Sequence, residues 1–233
     1  MSPLSVFDIF QVGIGPSSSH TMGPMQAARL FVLDLEDKGL LERTAAVVVR
    51  LYGSLALTGK GHGTDGAILA GLEGGEPATI DPDGMARSIE RIRASGRLRL
   101  AGRHEIGFDE PMQLLFLRAE RLPAHPNGMR FAALDSADRV LHEAEMYSIG
   151  GGFVARAGEA PAGDASDATF DPSATGSGAP PYPFTSAAEL LERCRAHGLE
   201  IYELMLANEQ AWRPVEAVRE GLLDIWRVMR ACV

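Results

Sequence analysis

Cysteine and lysine are nearly missing from this chain, and long apolar runs are missing altogether. The 233 residues hold two cysteines, Cys194 and Cys232. Two thiols cannot build the disulfide framework of a small secreted domain, so a reducing cytoplasm is the expected compartment. Lys38 and Lys60 are the only lysines among 22 basic residues, and 31 acidic residues bring the formal net charge to −9. Nucleic acids and anionic membranes both select clustered cations, so neither is expected as a partner. The one arginine-dense stretch, Arg87 to Arg103, is interleaved with apolar residues and reads as half-buried structure rather than a basic patch. No window reaches the roughly 18 consecutive apolar residues of a membrane-spanning helix. The opening MSPLSVFDIFQVG has neither the basic head nor the apolar run of a signal peptide.

What is present suffices for a sizeable core: 45% of the residues are hydrophobic and 23% charged, the balance of an ordinary globular protein. Composition breaks once, and residues 155–184, small, polar and rich in Pro and Gly, read as a flexible linker. Ahead of it, residues 1–154 mix helix and strand patterns. Helices are predicted over 24–36, 67–72 and 83–95, and strands over 45–52, 113–118, 129–134 and 139–147, with Asp135–Asp138 as a hairpin turn. That is an α+β domain with a mixed sheet. Residues 185–233 read as helices only. Ser186 and Glu189 form a capping box, Gly198 closes that helix, and further helices cover 200–212 and 215–233 around Pro214. Their apolar faces have little of their own to pack against. This stretch therefore reads as the opening of a larger helical domain, and self-association as a homodimer is expected.

Four short segments carry candidate chemistry. In Gly13-Ile-Gly-Pro-Ser17-Ser-Ser19-His20-Thr21-Met-Gly-Pro24, hydroxyls and backbone N–H groups precede a helix. That suits a carboxylate or phosphate, or simply a serine-rich helix cap. The segment is neither a dinucleotide fingerprint nor a phosphate-binding P-loop. In Gly59-Lys-Gly-His62-Gly-Thr64-Asp65-Gly66, flanking glycines leave an imidazole accessible as a general base. Asp65 would cap the next helix, orient His62, or do both; the alternative is a surface turn with an incidental histidine. His125-Pro-Asn127-Gly is a turn into a strand when taken alone. Tyr147-Ser148-Ile-Gly-Gly-Gly ends a strand in three glycines, for close backbone approach or as a flexible exit. His104, His142 and His197 read as surface or packing residues. The three loop histidines, with hydroxyls and an amide, suggest a polar pocket for a small anion. Their spacing has no zinc-ligand geometry, so no metal ligands are assigned. Lys60 lacks the surroundings that would activate a Schiff-base lysine.

GPSSSHTMGP, GKGHGTD, HPNGM and YSIGGGF, in this order, resemble the iron–sulfur-dependent L-serine dehydratases over the whole first domain, and the linker followed by IWRVM resembles the entry to that family's second domain. The resemblance implies an α+β "β" domain similar to a substrate-binding domain of some phosphoglycerate dehydrogenases. It also implies a helical "α" domain, or a separate α subunit, carrying a [4Fe–4S] cluster on three cysteines. The implied reaction turns L-serine into pyruvate and ammonia. By the same resemblance, His62 is the general base or orients it, and His125 and Asn127 contact the substrate or its leaving hydroxyl. Ser17, Ser19, His20 and Thr21 hold the carboxylate, with Ser148, Thr64 and Asp65 as further contacts. The chain departs from the family in having two cysteines, read here as core residues rather than cluster ligands, so the chain alone is expected to be inactive. The competing reading, from a different class, is a non-catalytic module that binds serine or another small anion and regulates a partner.

Overall fold

The computed structural model describes residues 5–158 and 178–233. They form two compact units, one from residues 13–158 and the other from 5–12 together with 178–233.

The first unit is built on a five-stranded mixed sheet. Its strands are β1 (Ala46–Tyr52), β4 (Leu114–Leu117), β5 (Gly128–Leu134), β6 (Val140–Gly150) and β7 (Phe153–Arg156), in the order β4-β1-β5-β6-β7. β1 runs parallel to β4, and every other pairing is antiparallel. Alternation explains β1: Val47, Val49 and Leu51 are fully buried while Ala46, Val48 and Arg50 between them are only partly so, as expected where one face meets the core. That core face carries α2 (Gly23–Asp37) and α4 (Thr64–Leu72). Pro24 sits in the first turn of α2, where its missing N–H costs nothing. Phe31 of α2 stacks on Phe131 of β5 with ring centroids 5.3 Å apart. Gly71 lets α4 cross α2 closely, since a Cβ there would lie 2.2 Å from the Met25 carbonyl oxygen.

Several expectations shift. The first helix, the central strands and the 83–95 helix, observed as α5 (Pro82–Ser95), fall within a few residues of their predicted limits. α4 starts at Thr64 rather than Ala67, because it is buried almost all round and has no amphipathic pattern to mark its first turn. A short helix α3 (Gly53–Thr58) and a hairpin of β2 (Arg97–Leu100) with β3 (His104–Gly107) were not anticipated. In β2 two alternations, exposed Arg against buried Leu, are too few to signal a strand. α6 (Glu110–Gln113) occupies the start of the expected 113–118 strand region. Ala155 and Arg156, read as the start of the linker, pair instead as part of β7. The rest of that linker up to residue 177 lies outside the described residues.

The second unit contains α1 (Val6–Ile9), α7 (Ala187–His197), α8 (Ile201–Glu209) and α9 (Val215–Ala231). Ser186 accepts from the Glu189 N–H at 3.2 Å, and Gly198 ends α7 at φ +66°. The Glu209 carboxylate is buried and gathers three donors. It accepts from Ser5 Oγ at 2.8 Å, from Val6 N at 2.7 Å and from Arg213 at 3.2 Å. Cys194 is buried as expected for a core thiol, but Cys232 is exposed at the end of α9. α9 leaves Leu222, Leu223, Trp226 and Met229 exposed. Among the described residues no helix is long and apolar enough to cross a membrane.

Candidate functional site

The chemistry-bearing segments meet at one end of the sheet, where β1 stops, β5 starts and β6 nears its end. β1 delivers Gly53 and Ser54 into α3. Residues 125–127 lead into β5, and Ser148 lies on β6 beside them: its N–H donates to the Asn127 carbonyl at 3.0 Å. Gly53 adopts φ +53°, and a Cβ there would lie 2.3 Å from the Pro126 carbonyl oxygen, so glycine is what allows this close approach.

Ser18–Met22 forms a single π-helical turn leading directly into α2. Ser17 caps it, its Oγ accepting from the His20 N–H at 3.1 Å. His20 and His62 are both half-buried, with ring centroids 5.0 Å apart. His62 Nδ1 lies 3.0 Å from the Thr58 carbonyl, which can only accept, so in the neutral ring Nδ1 carries the proton and Nε2 holds the lone pair. His20 is engaged on both sides, by Ser19 Oγ at 2.9 Å on Nδ1 and by Ser54 Oγ at 3.1 Å on Nε2. Burial first, and then the adjacent His62 imidazole, hold the His20 pKa below the usual histidine value, against an opposing hydrogen bond to the Ser54 main chain.

His125 and Asn127 are 6% and 9% exposed. The Asn127 N–H donates to His125 Nδ1 at 3.1 Å, which fixes the neutral ring as the Nε2–H tautomer. Burial keeps that ring neutral by lowering its pKa. The Asn127 side-chain amide donates to the Ser148 carbonyl at 3.2 Å. What is left over is one donor, His125 Nε2–H, and one acceptor, Asn127 Oδ1, both buried without a hydrogen-bond partner. Such orphans are costly to leave unmade, and these two lie among the candidate residues.

The remaining candidates hold the loops in place. Thr21 and Thr64 are buried, and their hydroxyls donate to the main-chain carbonyls of His62 and His20 respectively. Ser148 Oγ donates to the Ser19 carbonyl at 2.8 Å. Asp65 neither caps α4 nor hydrogen-bonds to His62; it pairs with Arg93 at 2.9 Å, because α5 brings that guanidinium against the first turn of α4. Ser17 and Ser19 remain half-buried in the loop. Ser54 was missed in the sequence: it sits inside the apolar stretch LYGSLAL, and only the glycine before it hinted at a strand-to-helix turn.

Among the described residues no three His, Cys, Asp or Glu side chains converge as a metal site. A [4Fe–4S] cluster is held by converging thiolates, and this chain's two cysteines, one buried in α7 and one exposed beyond α9, do not fit it.

Residues 5–159 match the family model of the serine dehydratase beta chain. The chain is 47% identical over 230 residues to an L-serine dehydratase of Streptomyces coelicolor, covering 99% of this chain and 49% of that protein. It is 43% identical over 231 residues to L-serine dehydratase 1 of Escherichia coli, covering 99% and 48%. It is 41% identical over 234 residues to an L-serine dehydratase of Mycobacterium tuberculosis, covering 98% and 47%. The chain thus spans about half the length of these relatives.

Proposed function

This chain belongs to the serine dehydratase beta-chain family, and we propose that it forms the substrate-facing part of an L-serine dehydratase that converts L-serine to pyruvate and ammonia. The observation that carries this reading is the pairing of a bare imidazole nitrogen, His62 Nε2, with the buried unpartnered donor of His125 and acceptor of Asn127 in the same cluster of loops. Elimination from serine needs a base for the α-proton and a grip on the β-hydroxyl that leaves. His62 Nε2 takes the proton from Cα. A hydroxyl both accepts and donates, so it satisfies His125 Nε2–H and Asn127 Oδ1 together, which neither a carboxylate nor an ammonium group does. Loss of the α-proton and the hydroxyl releases water and leaves 2-aminoacrylate, which tautomerises to an imine and hydrolyses to pyruvate and ammonia.

Ser17 and Ser19 lie on the loop that sets His20 against His62 and suit the substrate carboxylate, while His20, whose two ring nitrogens both meet hydroxyls, holds that loop in place. Thr21, Thr64 and Ser148 act one step removed, by fixing the loops that carry the histidines. The [4Fe–4S] cluster belongs, in this proposal, to a helical α component outside this chain's own donor set. The two-cysteine content and the greater length of the relatives support that assignment. A homodimer and a cytoplasmic location complete the proposal, supported by the exposed apolar side chains of α9 and by the scarcity of cysteine.

The test is His62→Asn in the chain assembled with its α component. Turnover of serine to pyruvate is expected to fall about 100-fold or more, the scale of a lost general base, with folding intact by circular dichroism. Turnover close to that of the unsubstituted enzyme would leave a serine-binding regulatory module as the better reading.

A further inference from the structure

α3 is only six residues long, yet it holds all three histidine-bearing segments. At its start the Ser54 N–H donates to the Pro126 carbonyl at 2.9 Å, which fixes the turn between His125 and Asn127. The Ser54 hydroxyl meets His20 Nε2 at 3.1 Å. At its end the Thr58 carbonyl accepts a hydrogen bond from His62 Nδ1 at 3.0 Å. The Thr58 hydroxyl closes the helix on itself by donating to the Ser54 carbonyl at 3.0 Å.

We infer that Ser54 is a positioning residue for the histidine pair: by occupying His20 Nε2 it withdraws His20 from proton transfer and leaves His62 as the only open base. An imidazole has two in-plane hydrogen-bonding positions. In His20 both are filled by hydroxyls, which can donate or accept and so satisfy either tautomer. In His62 only one is filled, and by a group that can only accept. Two imidazoles with rings 5.0 Å apart would otherwise compete for the same proton. Of the two hydroxyls on His20, Ser19 is its chain neighbour in the same loop, whereas Ser54 belongs to the helix that also orients His62. Ser54 therefore sets the position of one ring against the other.

This inference rests on the serine dehydratase reading, so its test has one arm that needs turnover and one that does not. In the assembled enzyme, Ser54→Ala and Ser54→Val are expected to lower kcat about tenfold or more, with KM for serine changed less than about threefold. Ser54→Thr, which keeps the hydroxyl in the shape of valine, is expected to retain most of the rate. On a His62→Asn background, Ser54→Ala is expected to cost nothing further, since a positioning residue has no effect once the base it serves is gone. In the full chain without turnover, the ¹⁵N signals of the His20 ring are expected to lose the hydrogen-bonded signature at Nε2 in Ser54→Ala, while His62 Nδ1 is unchanged. Full activity in Ser54→Ala would overturn the inference, as would the same loss on both backgrounds or an unchanged His20 Nε2 signal. If the unsubstituted enzyme does not turn over serine, the proposed function fails, and the ring signals still decide the role of Ser54.

Discussion

A neutral imidazole is cheaper to bury than a charged one, and both His20 and His125 are held below the ordinary histidine pKa, the first by burial and its histidine neighbour, the second by burial alone. The unfolded chain therefore binds protons at these sites before the folded one does. Stability from these two residues is complete above the unfolded value of about 6.5 and is lost as pH falls below it toward the depressed folded values. The urea midpoint is expected to drop between pH 7.5 and pH 5.5, and His125→Gln, which cannot titrate, should make that drop smaller. An equal drop in the substituted chain would place its origin elsewhere. At this scale the sequence was informative about which histidines to consider, because His20, His62 and His125 each lie in a Gly- or Pro-flanked loop while the other three do not. It was silent on their tautomers, which depend on carbonyls, hydroxyls and an N–H brought together only by folding. For the same reason Ser54 could not be seen, and Asp65 could not be recognised as the partner of an arginine 28 positions away.

Elements meet closely where glycine allows it. A Cβ at Gly23, the first residue of α2, would lie 2.0 Å from Ser148 Oγ and 2.7 Å from Ser148 Cβ on β6. Gly23→Ala is expected to destabilise the chain by about 1–3 kcal/mol, the range for overpacking a tight contact. Adding Ser148→Gly removes both clashing atoms and should recover part of that loss in denaturant titrations, whereas simple additivity of the two costs would argue against the contact. The central strands and α2 were legible because Val-rich alternation and helical spacing persist over seven or more residues. The β2–β3 hairpin and β7 were not, since four-residue strands show at most two alternations and gain their stability from partners distant in sequence.

For the molecule as a whole, residues 5–12 belong to the helical unit and not to the sheet unit that follows them in sequence. Residues 5–12 pack with the helices of 178–233, through the buried Glu209 carboxylate and through Arg213, whose guanidinium sits 4.7 Å from the Phe7 ring centroid. Glu209→Ala removes an acceptor that Ser5 Oγ, the Val6 N–H and Arg213 share and should cost the helical unit about 1–3 kcal/mol. Hydrogen exchange is expected to speed up in α8 and α1 while β1 and β5 stay protected; uniform acceleration would show that the two units unfold together. No sequence pattern announced this pairing, because a single carboxylate near the end of a helix carries no mark of the segment it will bind.

The hydrogen bond from the Ser148 N–H to the Asn127 carbonyl continues the register in which Gly128 faces Tyr147 and Met129 faces Met146. A slip of β6 by one residue against β5 would turn Met146 away from the core face that Met129 keeps and, at the same time, part Asn127 from Ser148. A misregistered chain would therefore lose the site together with the core, and the Ser148 amide, expected to exchange slowly only in the native register, would serve as a fold check before any substrate is added.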